Sequence, residues 1–143
     1  MNTILFRFAT VLAALLALSC VNKITDKSPR FSRIFNSEIE LRKPLYMYKI
    51  RYNPDGDGTY HNIQSSQVTI SPHDSGVLCI LKPGQKVIFT KERTIICYTN
   101  LAWNLLGSLS WNGKTYPVSY DLGWPGNDST WRSIYHDFKV PLP

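Results

Sequence analysis

The sequence predicts an all-β fold, an antiparallel β-sandwich of about eight short strands, on three observations. Apolar and polar residues alternate over short runs, Gly, Pro, Asn and Asp punctuate those runs at close intervals, and no stretch carries a convincing helical period. Aromatics make up 13% of the 143 residues and charged residues only 18%. Charge is thus sparser than the roughly 25% usual in soluble domains, which excludes a disordered or coiled-coil chain. The length excludes a large multidomain enzyme.

Each element has a local reason. Tyr46, Tyr48, Ile50 and Tyr52 fall on one face of a strand while Met47, Lys49 and Arg51 fall on the other, the pattern of a half-exposed strand rich in β-formers. The polar turn at 53–58 ends it. Short runs at 59–63, 67–70 and 77–81 come next, the last two separated by turn residues 71–76. Lys82-Pro83-Gly84 turns the chain into a strand at 86–90, and 94–98 reads as another. Asn112-Gly113, between runs at 105–111 and 114–120, predicts a type I′ hairpin, because both central residues of that turn need positive φ. Residues 131–138 read as a final strand.

Ahead of these runs stand two segments of different character. Residues 1–19 join a short n-region carrying Arg7 to an apolar run at 8–18 that ends in Ala17-Leu18-Ser19, the features of a secretory signal peptide. The run is shorter than the about 20 residues of a bilayer-spanning helix, and a buried N-terminal helix is the other reading. Residues 20–35 carry Lys23, Lys27, Arg30 and Arg33 against Asp26 and read as a basic tether, either a solvated linker or an arm that approaches anionic lipid. The β-domain is then 36–143. Because much of the formal charge of +6 lies in the tether, the basic balance does not point to nucleic acid.

The cysteines are Cys20, Cys79 and Cys97. Cys20 directly follows the cleavage signal, and Ala17-Leu18-Ser19-Cys20 loosely resembles a bacterial lipobox, so Cys20 is a candidate for acylation. Cys79 and Cys97 each lie in a β-like run, leaving either a disulfide between two strands or two buried thiols. The expected location is secreted or extracytoplasmic, lipid-anchored if Cys20 is acylated.

No catalytic constellation emerges. His61, His73 and His136 are scattered, and neither a nucleophile elbow nor a phosphate-cradling loop occurs. The carboxylates at Asp55 and Asp57, and at Asp121 and Asp128, sit in turns, where they serve the backbone. Asn53-x-Asp55-x-Asp57-Gly58 opens like a calcium loop, but Gln64 at the twelfth position supplies no bidentate carboxylate. Neither an enzyme nor a metal or cofactor is predicted.

The four tryptophans, Trp103, Trp111, Trp124 and Trp131, all fall in the last third, with Tyr116, Tyr120 and Tyr135. The turn-rich stretch 117–127 places Tyr120 and Trp124 at the surface, where such rings suit a lipid headgroup interface or stack on sugars; packing inside the fold is the plainer alternative. Trp111 and Trp131 are expected in the core.

The order of these features over 35–138 resembles the aegerolysins, small β-sandwich proteins that bind membrane lipids, and more distantly the actinoporin-like cytolysins and fungal fruit-body lectins. The resemblance runs through Tyr52 and its Asp-Gly-Asp turn, the strand ending in Lys82-Pro83, the segment from Cys97 through Gly107-Ser108-Leu109, and Tyr120-Asp121-Leu122-Gly123-Trp124-Pro125-Gly126-Asn127. It implies a secreted module that docks on lipid headgroups through Tyr120, Asp121, Trp124 and Tyr52, and that acts with a separate pore-forming partner protein. The amphipathic N-terminal helix with which actinoporins insert alone is absent from the pattern. A glycan-binding or protein-binding module using the same aromatics is the rival reading.

Overall fold

The computed structural model describes residues 21–25, 29–49, 59–65, 76–97, 100–123 and 129–140. In chain order these form β1 (Val21–Thr25), a 3-10 turn (Pro29–Phe31), β2 (Glu38–Leu41), β3 (Leu45–Tyr48), β4 (His61–Gln64), β5 (Val77–Leu81), β6 (Lys86–Cys97), β7 (Asn100–Trp111), β8 (Lys114–Gly123), α1 (Ser129–Asp137) and β9 (Phe138–Lys139). The expected strand at 67–70 and the turns at 53–58 and 71–75 lie outside the described residues.

The strands join one curled sheet in the order β5-β3-β4-β8-β7-β6-β2-β9, with β1 also on β6. The all-β class therefore holds, and the antiparallel two-sheet sandwich is corrected. β4 runs parallel to β8, pairing His61 with Val118. The sheet bends on itself because β6 and β7, 12 residues each, run past the usual strand length and are kinked by irregular register rather than broken into separate strands. The expected runs at 86–90 and 94–98 are accordingly one strand, paired with β7 from Val87↔Leu109 to Cys97↔Asn100.

The β7–β8 hairpin forms as expected: Asn112 and Gly113 both take positive φ, 50° and 73°, and Trp111 pairs with Lys114. Of the alternation at 46–52, residues 50–52 lie outside the described residues; within β3, Leu45 and Met47 enter the core, Tyr46 is half-buried, and Tyr48 is buried beside a register shift between Met47 and Tyr48.

Two larger corrections concern the ends of the chain. Residues 21–25 and 29–35 of the segment expected as a tether are part of the fold. β1 pairs along Glu92 to Ile96 and β2 along Lys86 to Ile88, so both lie against the same edge of β6. Between them β6 shifts register at Phe89/Lys91, and there the chain leaves the edge and dips inward. Phe31, Ile34 and Phe35 enter the core, Phe35 bridges to Phe89, and the Asn36 N–H donates to the Phe89 carbonyl at 2.8 Å. Asn36 closes this return with φ of 59°, a conformation that Asn tolerates better than most residues. Opposite the irregularity stands Gly107, where a Cβ would lie 2.0 Å from the Ile88 carbonyl oxygen, so only glycine lets the strands approach there.

The expected final strand at 131–138 is helix α1 followed by the two-residue β9. Ile134 and Phe138, four apart, are both fully buried, and Tyr135 packs beside them. That is the spacing of one helix face, and a helix lets these side chains plug the open side of the curled sheet. The Arg42 N–H donates to the Asp137 carbonyl at 2.7 Å, tying the end of the helix to the corner between β2 and β3.

Because Phe31 belongs to the core, Phe31→Ala lowers folding stability by about 3–5 kcal/mol, read from the urea unfolding midpoint. A tether would leave the midpoint unchanged.

Candidate functional site

Among the residues singled out in the sequence, Tyr120 has the best-defined position, and it is not in a surface loop. It lies within β8, paired with Leu105, and is only 3% exposed. This corrects the placement expected from the turn-rich stretch: alternate residues Val118 and Tyr120 face inward because β8 continues unbroken through Gly123. The ring packs edge-on against Phe138 at 4.9 Å and near Phe89 at 6.3 Å, while Phe89 and Phe138 stand edge-to-face at 5.5 Å. Its hydroxyl donates to Asp137 Oδ2 at 2.7 Å.

Asp137 is itself buried and gathers a line of polar groups. His136 Nδ1 lies 2.7 Å from Asp137 Oδ1, so the ring donates from Nδ1 and presents the lone pair of Nε2 outward. That lone pair accepts from Lys43 Nζ, on the corner after β2. The chain Lys43, His136, Asp137, Tyr120 thus runs from the surface into the aromatic core and joins the β2–β3 corner, α1 and β8. Burial, the Asp137 charge and the hydrogen bond to it, in that order, push the Tyr120 phenol far above its ordinary value. With Nε2 engaged by Lys43, His136 is arranged as a structural link.

Of the other residues singled out, Asp121 is exposed on the opposite face of β8, paired with Asn104. Trp124, Tyr52 and Cys20 lie outside the described residues. Cys79 is a free thiol, which corrects the expected Cys79–Cys97 disulfide: the sheet order puts β3, β4, β8 and β7 between the strands that carry them. Burial raises the Cys79 thiol above its ordinary value. His61 donates from Nδ1 to the Tyr48 carbonyl at 2.8 Å and meets Tyr116 edge-on at 5.4 Å. Trp111 packs half-buried beside Tyr116 at 6.0 Å. The ring of Trp103 is held from three sides, by Phe31 at 5.5 Å, by Arg30 stacked at 4.3 Å, and by Glu92, which accepts from its Nε1.

A surface that sequence reasoning misses lies on β1 and the adjoining half of β6. Val21 pairs with Ile96, so the two side chains share one face of the sheet, and they are 58% and 51% exposed. Lys23 is exposed one step along that face, while Ile24, 46% exposed, stands on the reverse. The signal is present in Val21-Asn22-Lys23-Ile24-Thr25, a run rich in β-branched residues whose charged surroundings mask its strand character.

No family model matches the chain, nor does any curated protein or solved structure.

The buried pair governs stability as a unit. Tyr120→Phe and Asp137→Asn each destabilise the fold, by about 1–3 kcal/mol, and the double variant costs less than the sum. Urea midpoints of the four proteins in this double-mutant cycle check it.

Proposed function

We propose that this chain is an exported, membrane-lipid-binding β-sheet module that works by docking on headgroups. The observation that carries the reading is the exposed aliphatic pair Val21 and Ile96, with Lys23 beside it, on a strand that begins one residue after Cys20. Two aliphatic side chains left open on a β-face, next to a cation, match the layering of a membrane interface, with apolar groups toward the acyl boundary and the ammonium at phosphate level.

The leader supports the same orientation. With cleavage after Ser19 and acylation of Cys20, the anchor would lie directly beside Val21. The Val21/Ile96 face with Lys23 would then lie against the same bilayer as that anchor. In this reading lipid contact begins at β1, and the Tyr120 ring serves the core; the lipid target is the class that the resemblance to aegerolysins also implies.

Liposome flotation tests the reading with the full chain across anionic, sterol-containing and sphingolipid-containing vesicles. Binding to anionic vesicles is expected, and Ile96→Glu weakens it about tenfold, by placing a charge where an apolar group meets lipid. An absence of binding to every composition, or an unchanged Ile96→Glu variant, contradicts the proposal.

A further inference from the structure

The register that brings Val21 beside Ile96 also sets the next row on the same face. Lys23 pairs with Thr94 and Thr94 with Trp103, so the three side chains leave one face of β1, β6 and β7, one step along from the aliphatic pair. With neighbouring strands about 5 Å apart, Lys23 and Trp103 stand about 10 Å apart along this row. Lys23 is exposed, Thr94 is half-buried, and Trp103 is buried beneath Arg30, whose Cζ lies 4.3 Å from the indole ring centroid. Arg30 itself is exposed. The indole is fixed under it, because Phe31 packs at 5.5 Å and Glu92 accepts from Nε1.

A cation over an aromatic face is held by the ring and keeps its N–H donors for another partner. Among the described residues Arg30 has no hydrogen-bond or ion-pair partner, and neither has Lys23. By contrast, Lys86 meets Glu38 at 2.5 Å and Lys139 meets Glu40 at 2.7 Å. Glu92 stands on the face of Lys23 and Thr94, yet its carboxylate accepts from the Trp103 N–H instead of pairing with either cation. Two like charges are thus gathered on one exposed face, one of them held in place by an indole, with a threonine in the row between Lys23 and the ring.

We propose that Arg30, Lys23 and Thr94 form a binding site for a phosphate group, which in the docking reading above is the phosphate of a lipid headgroup; the site rests on that reading for the source of the phosphate. The Arg30 fork takes two oxygens, Lys23 adds a point charge and Thr94 a hydroxyl donor. The several oxygens of a phosphate satisfy that set, and the two of a carboxylate do not. The charge of Glu92 on the same face offsets part of the attraction for any anion, so binding depends on the directed bonds of the fork more than on net charge. Val21 and Ile96 lie two residues along β1 and β6 from Lys23 and Thr94, which puts the phosphate site and the acyl-facing pair on one surface.

Flotation of the full chain with phosphatidylglycerol vesicles tests the lipid source. Arg30→Lys, which keeps the charge and loses the planar fork, is expected to weaken binding about tenfold, and Lys23→Gln several-fold. In the unmodified chain, glycerol 3-phosphate at low salt is expected to shift the Arg30 Nε–H resonance, and acetate at equal ionic strength is not, a readout independent of any variant's folding. Vesicle binding that Ile96→Glu weakens and Arg30→Lys leaves unchanged overturns the phosphate site while the docking reading stands. An Arg30 signal that moves with glycerol 3-phosphate although no vesicle binds contradicts docking and supports the site, with a free phosphate ester as its ligand. An Arg30 signal unmoved by glycerol 3-phosphate, or moved equally by acetate, overturns the proposal.

Discussion

The hydrogen bond from Tyr120 to Asp137 is the point on which the architecture turns. A carboxylate buried among aromatic rings is tolerable only when its oxygens are occupied, and both are: Oδ2 by the Tyr120 hydroxyl at 2.7 Å and Oδ1 by His136 Nδ1 at 2.7 Å. The same residue's backbone carbonyl accepts from Arg42. One residue therefore fixes the end of α1, the corner between β2 and β3, and the middle of β8. Phe138, directly after it, completes the ring cluster with Phe89 and Tyr120 before pairing into the sheet as part of β9.

The opposite side of the core is closed by a different device. A strand as long as β6 cannot stay regular and also wrap a core, and its register shift at Phe89/Lys91 divides its outer edge between β2 and β1. The chain between those two strands fills the opening with Phe31, Ile34 and Phe35. Gly107 on β7 permits the close approach that the shift demands. Helix α1 and the Phe31 segment thus perform the covering role that a second sheet performs in a sandwich, and a single curled sheet suffices.

Features set by neighbouring residues are legible in the sequence. Asn112-Gly113 specifies its hairpin because the constraint is two φ angles, and Val77–Leu81 is bounded by clear turn residues. Where a pattern admits two periods, the shorter one misleads. Residues 131, 134, 135 and 138 follow helical spacing, yet their aromatic and β-branched content suggests a strand. In the segment after Cys20 the lysines and arginines dominate the pattern, although Phe31, Ile34 and Phe35 carry a helical spacing of their own. Tyr120 is out of reach for another reason. Whether a tyrosine beside glycine and proline turns inward depends on how far β8 extends along β7, a long-range pairing that no local window contains. The surface residues are the least legible, since Val21 and Ile96 become neighbours only through the β1–β6 pairing and are far apart in the chain.

The functional consequence is a division of labour between rings and surfaces. Tyr120, Phe89 and Phe138 serve the core, while the large hydrophobic side chains that stand exposed among the described residues are Val21, Ile24, Ile80 and Ile96. That division rests on Tyr120 being an interior hydrogen-bond donor, so the most direct measurement is its alkaline titration, followed by NMR of ring-labelled tyrosines together with unfolding stability. Because burial and Asp137 hold the folded phenol well above the unfolded value of 10.0, the unfolded chain ionises first. Tyr120's contribution to stability is predicted to be constant below about pH 10 and to decline above it, with the Tyr120 ring signals unchanged until the fold is lost. A Tyr120 ring that titrates near pH 10 in the folded protein would contradict the account.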